Sequence, residues 1–463
     1  MPRIVVRPVK ICETENPLWT AGGKRVGFRD VILIIVEAIA VPLSFINPFT
    51  GVLFWTWVGY FNPQEFTWGA ASSVPIAFLV AIATLSGLVI TKDRRFPPLT
   101  TETVLLALLW LWFGITTANT FLSPAFSHHS ADSAMFLWAV SKTLLMVFVS
   151  LMLVTDARRL RLWYLVTAGS FAVFALKSAV FGVLTTGLDK VYGPKNSMIY
   201  DNNDFGLAMN MALPMFVAMA RTEPSRAVRW CFWAALPMGM AAVVLTYSRG
   251  ALLGLAVVLS ILAWRSRRRW LAACATAFAV AGVFVAAPEK WVERMHTMLE
   301  SPTKDQSAMA RFHSWTFAFK LFRDHPITGG GFQTFTAPLY AQYNMLRDQV
   351  QGPHSIYFQI LAEHGLPGIL IFFALIGACL FSCRRLRRVF AEQQDFRLAA
   401  YAEMIQLSLV TFLISGAFLG RAYFDLFYQL VATVILLKVL AREPVWEPEE
   451  TSPEPAEETA VLA

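Results

Sequence analysis

Across 463 residues, 56% are hydrophobic and 15% charged, and the mean hydropathy is +0.52. A soluble domain carries about 25% charged residues, so the excess apolar surface must face lipid, and a single soluble core is excluded. The net charge of +8 comes from short basic clusters between apolar runs. That is the pattern of cytoplasmic membrane loops, and no nucleic-acid partner is expected.

The first 29 residues carry Arg3, Arg7, Lys10, Lys24, Arg25 and Arg29, with no small-residue cleavage site after a short apolar stretch. They read as a basic cytoplasmic segment rather than a removable signal. Residues 30–61 are apolar but divided at Asn47-Pro48. Further apolar runs follow at 72–91, 102–121, 134–154, 162–184, 202–220, 230–246, 250–264, 270–287, 354–382, 400–418 and 425–441. About 20 residues of helix cross a ~30 Å hydrocarbon core, and only helices satisfy their own backbone groups there.

The clusters Lys92/Arg94/Arg95, Arg158/Arg159/Arg161, Arg221/Arg226/Arg229, Arg265/Arg267/Arg268/Arg269 and Arg384/Arg385/Arg387/Arg388 lie two crossings apart and mark inner loops. With the basic N-terminus inside, parity makes 30–61 one broken crossing and gives about twelve spans. Two short helices with the N-terminus outside are the alternative. The expected fold is therefore an all-α polytopic inner-membrane protein with both termini cytoplasmic. Residues 30–287 hold the first nine crossings, 288–353 a small helical periplasmic domain, and 354–441 the last three crossings. In the outer segment, Trp291, Met295, Met298, Phe312, Trp315, Phe319 and Phe322 fall at helix-like spacing, as in helices lying on a membrane surface. Residues 442–463, with seven Glu, four Pro and neither Lys nor Arg after Arg442, read as a disordered acidic cytoplasmic tail.

That frame leaves four outer segments for chemistry: 185–201, 247–250, 288–353 and the turn before 425. Asp201-Asn202-Asn203-Asp204 precedes a span, either as a helix N-cap or in contact with sugar hydroxyls or an acceptor; its spacing disfavours a metal site. Arg249 joins two apolar runs against the positive-inside pattern, by snorkelling or by gripping a phosphate with its planar fork. Arg311 offers the same chemistry from the outer domain. Gly329-Gly330-Gly331 fits a phosphate-facing backbone or, better, a hinge. His354 opens a long apolar run after Gly352-Pro353, and His128, His129, His296, His313 and His325 fall on the same side, His313 being its nearest rival. Arg421 and Asp425 read most simply as an i,i+4 ion pair, although both could line a cavity. Lys142 and Lys177 sit within spans, where a charge marks a functional hypothesis. The five cysteines show no metal spacing and read as reduced packing residues.

These stretches together resemble the O-antigen ligase and polymerase superfamily, most closely the O-glycosylation ligases associated with exosortase systems. The resemblance runs from about Asp30 to Tyr428. It is carried by residues 51–63 (GVLFWTWVGYFNP), Gly193-Pro194 with Asp201-Asn202-Asn203, residues 246–254 (TYSRGALLG), residues 329–335 (GGGFQTF) and residues 354–359 (HSIYFQ). His354-Ser355, nine residues, Gly365, two residues, Gly368 fits the ligase motif, and Arg249 with Leu253 fits the family's Arg-xxx-Leu motif. The resemblance implies a GT-C-like helical architecture and a glycan transfer that needs neither metal nor cofactor. The donor would be a glycan on undecaprenyl pyrophosphate, and the acceptor a hydroxyl at the periplasmic face on a lipid, protein or growing polysaccharide. It further implies that His354 is the catalytic base and that Arg249 and Arg311 hold the pyrophosphate, while Asp201, Asn202, Asn203 and Arg421 are further candidates for substrate contact. A polymerase of the same superfamily differs only in acceptor. A transporter or flippase for lipid-linked glycans would need paired ionisable groups near the midplane, whereas the polar candidates here gather at the outer face.

Overall fold

A computed structural model describes residues 19–21, 24–195, 197–265, 270, 306–345 and 350–442. The basic leader, most of the 270–287 run and the acidic tail beyond Arg442 lie outside the described residues. A two-stranded antiparallel hairpin pairs Trp19–Ala21 with Lys24–Val26; the rest is helical. The helices are α1 (Phe28–Ile46), α2 (Pro48–Phe61), α3 (Ile76–Ile90), α4 (Thr101–Leu122), α5 (Ser130–Leu153), α6 (Ala157–Leu184), α7 (Asn202–Thr222), α8 (Arg226–Leu245), α9 (Arg249–Arg265), α10 (Gln306–Asp324), α11 (Ala337–Gln342), α12 (Ile356–Glu392), α13 (Phe396–Gly416) and α14 (Asp425–Leu440). Side chains of Thr100, Asp156, Asp201, Ser225 and Asp395 accept from first-turn N–H groups and start α4, α6, α7, α8 and α13.

Among the described residues, α4, α5 with its preceding turn, α6, α8, α12 and α13 are long and apolar enough to cross a membrane, and α3 is a shorter apolar helix. α7 and α14 form the interior of the bundle. Every residue from Phe205 to Ala220 and from Leu426 to Leu437 is buried, as expected of a helix enclosed on all sides.

The start of the bundle differs from the single broken crossing expected over 30–61. Leu33 near the start of α1 packs in one cluster with Val58 near the end of α2 and Ile76 at the start of α3. Asp30 accepts from the N–H groups of Gly69 and Ala71, each at 3.1 Å, and Gly87 at the far end of α3 lies against Phe45 and Pro48. α1 and α2 are therefore antiparallel. Pro48 has no N–H with which to continue α1, and at the first position of α2 it needs none, so the chain reverses at Asn47-Pro48. Asn62 then donates to the Lys195 carbonyl at 3.0 Å, which puts the end of α2, and so the start of α1, beside the 185–201 segment. The start of α1 and the end of α14 consequently lie at opposite ends of the bundle, where a single crossing had required one side.

Among the described residues, contacts between the basic clusters gather at one end of the bundle. Arg159 pairs with Asp93, Arg161 with Glu223 at 2.7 Å, and Arg265 and Arg387 both reach Glu403 at 3.5 Å. These contacts join separate basic clusters at one end, opposite residues 185–201.

In the outer segment, α10 packs through Ser314, Phe317, Ala318 and Leu321, all fully buried, and Phe317 stacks on Tyr340 of α11 at 4.1 Å. Of the aromatic residues expected at helical spacing, Phe312 and Phe319 remain 50% and 57% exposed, while Trp315 stacks on Phe358 of α12 at 5.2 Å. Trp291, Met295 and Met298 lie outside the described residues.

Candidate active site

A cavity of about 420 Å³ opens at the end away from the basic clusters, where Phe136 of α5 and four other segments distant in sequence converge. Met198, Asp201, Asn203 and Asp204 come from the approach to α7, and Gln333 and Phe335 from the loop between α10 and α11. Pro353, His354, Gln359 and Glu363 come from the start of α12, and Gly420, Arg421 and Tyr423 from the turn before α14.

His354 is held just ahead of α12 with φ +46°, in the left-handed region that a residue with a Cβ enters at a cost of about 1–3 kcal/mol. The turn before α14 clamps it there. A Cβ on Gly420 would lie 2.5 Å from Pro353 Cγ and 3.3 Å from the His354 nitrogen, so only glycine admits this approach. The imidazole Nε2 lies 3.5 Å from Gln351 Oε1, at the outer limit of a hydrogen bond. Burial lowers the His354 pKa below the usual histidine value, the charge of Arg311 lowers it further, and Asp201 partly opposes both. The ring is therefore neutral near pH 7 and able to accept a proton.

Arg421 does not pair with Asp425. Its guanidinium binds the Asp204 carboxylate at 2.5 Å, while Asp425 accepts from Thr143 at 3.3 Å and faces an apolar groove that also holds Lys142. An i,i+4 pair needs one helix through both residues, and the chain is non-helical from Gly420 to Phe424. Lys142 Nζ lies 6.0 Å over the Trp138 ring, and Lys177 Nζ 5.0 Å over Phe66 at the site end of the bundle, a snorkelling cation on an aromatic face.

Asp201 caps α7 by accepting from the Asn203 N–H at 2.9 Å, and the Asn203 amide donates to the same oxygen at 2.9 Å. Asn202 does not line the cavity. It is buried and donates to the Thr246 carbonyl at 2.7 Å, tying α7 to the turn that carries Arg249. Arg249 begins α9 after Tyr247, whose φ is +57°, and the next residue, Gly250, lies against Phe418. Neither Arg249 nor Arg311 is among the residues that line the cavity; Arg311 is close enough for its charge to act on His354.

The N–H groups of Gly330 and Gly331 are bonded within the protein rather than offered to a phosphate. α12 is broken at Gly365, where φ is +64° and ψ −165°. The break leaves the carbonyls of Ala362 and Glu363 without helical partners, and they accept from the N–H groups of Gly330 and Gly331 at 2.8 and 2.9 Å. The Leu366 N–H donates in turn to Pro326 O at 2.8 Å. The glycine loop closes this break, which an apolar setting would not otherwise tolerate.

Glu363 stands apart from the site residues that the sequence motifs single out. Its side chain, in the cavity wall, accepts from the Tyr423 hydroxyl and from the Gln333 N–H at 3.0 Å. Gln359, one turn earlier, accepts from the Ala422 N–H at 3.1 Å. A glutamate four residues after a glutamine inside an apolar run was the available signal, since ionisable residues in such runs are expensive. Other histidines are used elsewhere: His313 stacks on Tyr340, His129 bonds the Gly330 carbonyl at 2.9 Å, and His128 bonds Thr336 at 3.0 Å. His296 lies outside the described residues. Cys379 and Cys383 are buried and free of any disulfide.

Residues 230–373 match the O-antigen ligase family, and residues 28–222 match a family of unknown function (DUF5935). No curated protein matches the chain. The first match takes in Arg249, Arg311, His354 and Glu363; the second takes in Asp201 to Asp204; Arg421 lies beyond both.

Proposed function

We propose, from the match of residues 230–373 to the O-antigen ligase family, that the chain is a membrane glycan transferase that moves a glycan from undecaprenyl pyrophosphate to an acceptor hydroxyl in the cavity at His354. The observation carrying this reading is that a neutral, partly buried imidazole shares one cavity with Asp201, Asn203 and the Arg421–Asp204 pair. The acceptor hydroxyl passes its proton to the imidazole as its oxygen bonds to the anomeric carbon. The bond from that carbon to the phosphate oxygen breaks, and the pyrophosphate leaves on its lipid. A positioned base of this kind is worth about 10²–10⁴-fold. Arg249 and Arg311 meet the departing charge with bidentate hydrogen bonds, stronger where water is excluded. Asp201, Asn203 and Arg421 contact sugar hydroxyls. The cavity faces the periplasm, because the basic clusters gather at the other end. The acceptor belongs to an exosortase-associated glycosylation system, in keeping with the motifs that carry the sequence resemblance.

Reconstitution with a lipid-pyrophosphate-linked glycan and candidate acceptors tests this, following release of the lipid pyrophosphate. His354→Ala is expected to insert normally and to lose transfer by about 10²–10⁴-fold, while chelators leave the native rate unchanged. Near-normal product from His354→Ala removes the histidine's role, and a reproducible need for a divalent ion overturns the metal-free chemistry.

A further inference from the structure

At the far end of the bundle, α4, α12 and α14 enclose a second cavity of about 420 Å³. α12 links the two sites, with Glu363 in the first and Arg385 in the second. Their separation along the helix is roughly 33 Å at 1.5 Å per residue, close to the thickness of a bilayer's hydrocarbon core.

Glu102 is fully buried at this second cavity, and Lys438 Nζ meets its two carboxylate oxygens at 2.7 and 3.1 Å while Ser382 Oγ donates at 2.5 Å. Lys438 therefore neutralises Glu102 completely. Arg385 and Arg442 line the same space, and neither has a carboxylate partner among the described residues. One wall is apolar, and its Phe381 is 70% exposed on the lipid-facing surface of the bundle. An occupant that suits this cavity is anionic at one end, apolar along its length and able to enter from hydrocarbon.

We propose that this cavity binds the phosphate headgroup of an anionic phospholipid in the leaflet opposite the active site. The guanidinium forks of Arg385 and Arg442 match phosphate oxygens in pairs, and an acyl chain runs along Phe381. Basic pockets between membrane helices bind such headgroups by this chemistry. The lipid braces the helices that build the active site. Trp112 of α4 donates to the His364 carbonyl at 2.8 Å and Thr116 bonds the His364 ring at 2.7 Å, while Tyr423 ahead of α14 bonds Glu363.

Thermal unfolding of the full-length protein in detergent, titrated with phosphatidylglycerol, phosphatidylethanolamine of the same chains, or inorganic phosphate, tests the site. Phosphatidylglycerol is expected to raise the midpoint, with affinity roughly tenfold weaker or worse in the Arg385→Gln/Arg442→Gln variant. Arg384→Gln/Arg388→Gln removes the same charge from exposed positions outside the cavity and should keep the full effect. Equal loss in both variants would mean diffuse surface charge and overturn the site. An equal rise with phosphatidylethanolamine, or with inorganic phosphate alone, would likewise overturn an anionic lipid as its ligand. None of these readouts depends on glycan transfer.

Discussion

Arg421 pairs with Asp204, 217 positions earlier in the chain, and so fastens the turn before α14 to the first turn of α7. Both residues line the cavity, and Asp204 is nearly buried while Arg421 stays about one-third exposed. Breaking a fully buried pair costs about 3–5 kcal/mol, and the exposure of Arg421 lowers this to on the order of 2 kcal/mol. Arg421→Gln and Asp204→Asn should each destabilise by that amount and the double variant by little more than either alone. Arg421→Gln and Asp425→Asn should instead add independently. Chemical denaturation in detergent reads both cycles, and coupling of Arg421 to Asp425 in place of Asp204 would refute the pairing.

The lowered pKa of His354 has a consequence for pH dependence. A histidine that binds its proton less readily stays neutral to lower pH, so the acidic limb of kcat/KM should fall below the usual histidine value. Arg311→Gln removes a charge that lowers this pKa and should move the limb to higher pH. Asp201→Asn removes a charge that raises it and should move the limb lower. Shifts of the same sign in both variants, measured as pH–rate profiles, would mean that His354 does not set the limb.

Glu363 receives hydrogen bonds from the Tyr423 hydroxyl and the Gln333 N–H, so it holds the 329–335 loop against the turn before α14. Glu363→Met removes both acceptor oxygens and leaves the Gln333 N–H and the Tyr423 hydroxyl without this partner. Transfer should drop by at least about tenfold, the equivalent of one buried hydrogen bond left unmade. Tyr423→Phe, which leaves the Gln333 bond in place, should cost less. Amide exchange at Gln333 should speed up in the Glu363 variant; an unchanged exchange rate there would separate Glu363 from the loop.

Two glycines of α12 should respond in opposite ways to alanine. Gly365 has φ +64°, and an added Cβ would fall 2.1 Å from the Ile327 carbonyl oxygen, so Gly365→Ala should cost about 3 kcal/mol or more. Gly377 has nothing within 4 Å of that position, so Gly377→Ala should be neutral or stabilising by up to about 1 kcal/mol. Thermal midpoints in one detergent compare the two directly. Similar losses at both positions would contradict the break at Gly365.

The helices themselves could be read from the residues, because an apolar run in lipid can satisfy its backbone only within itself. Runs such as 102–121 and 202–220 became α4 and α7, and the basic clusters marked one end of the bundle because their charges cannot settle in hydrocarbon. Residue type also singled out His354, Asp201, Asn203 and Arg421, which share the cavity. Local pattern offered the reversal at Asn47-Pro48 only as the alternative to a single broken crossing, because the choice depends on Leu33 meeting Val58 and Ile76. It did not reach the Asp204 partner of Arg421, the use of Gly330 and Gly331 to close the break at Gly365, or the turning of Glu363 into the cavity. Periodicity within a segment records which face is apolar and where a helix can start or stop. The partners of buried polar groups lie many residues away in sequence, and only the packing of whole helices brings them within hydrogen-bonding distance.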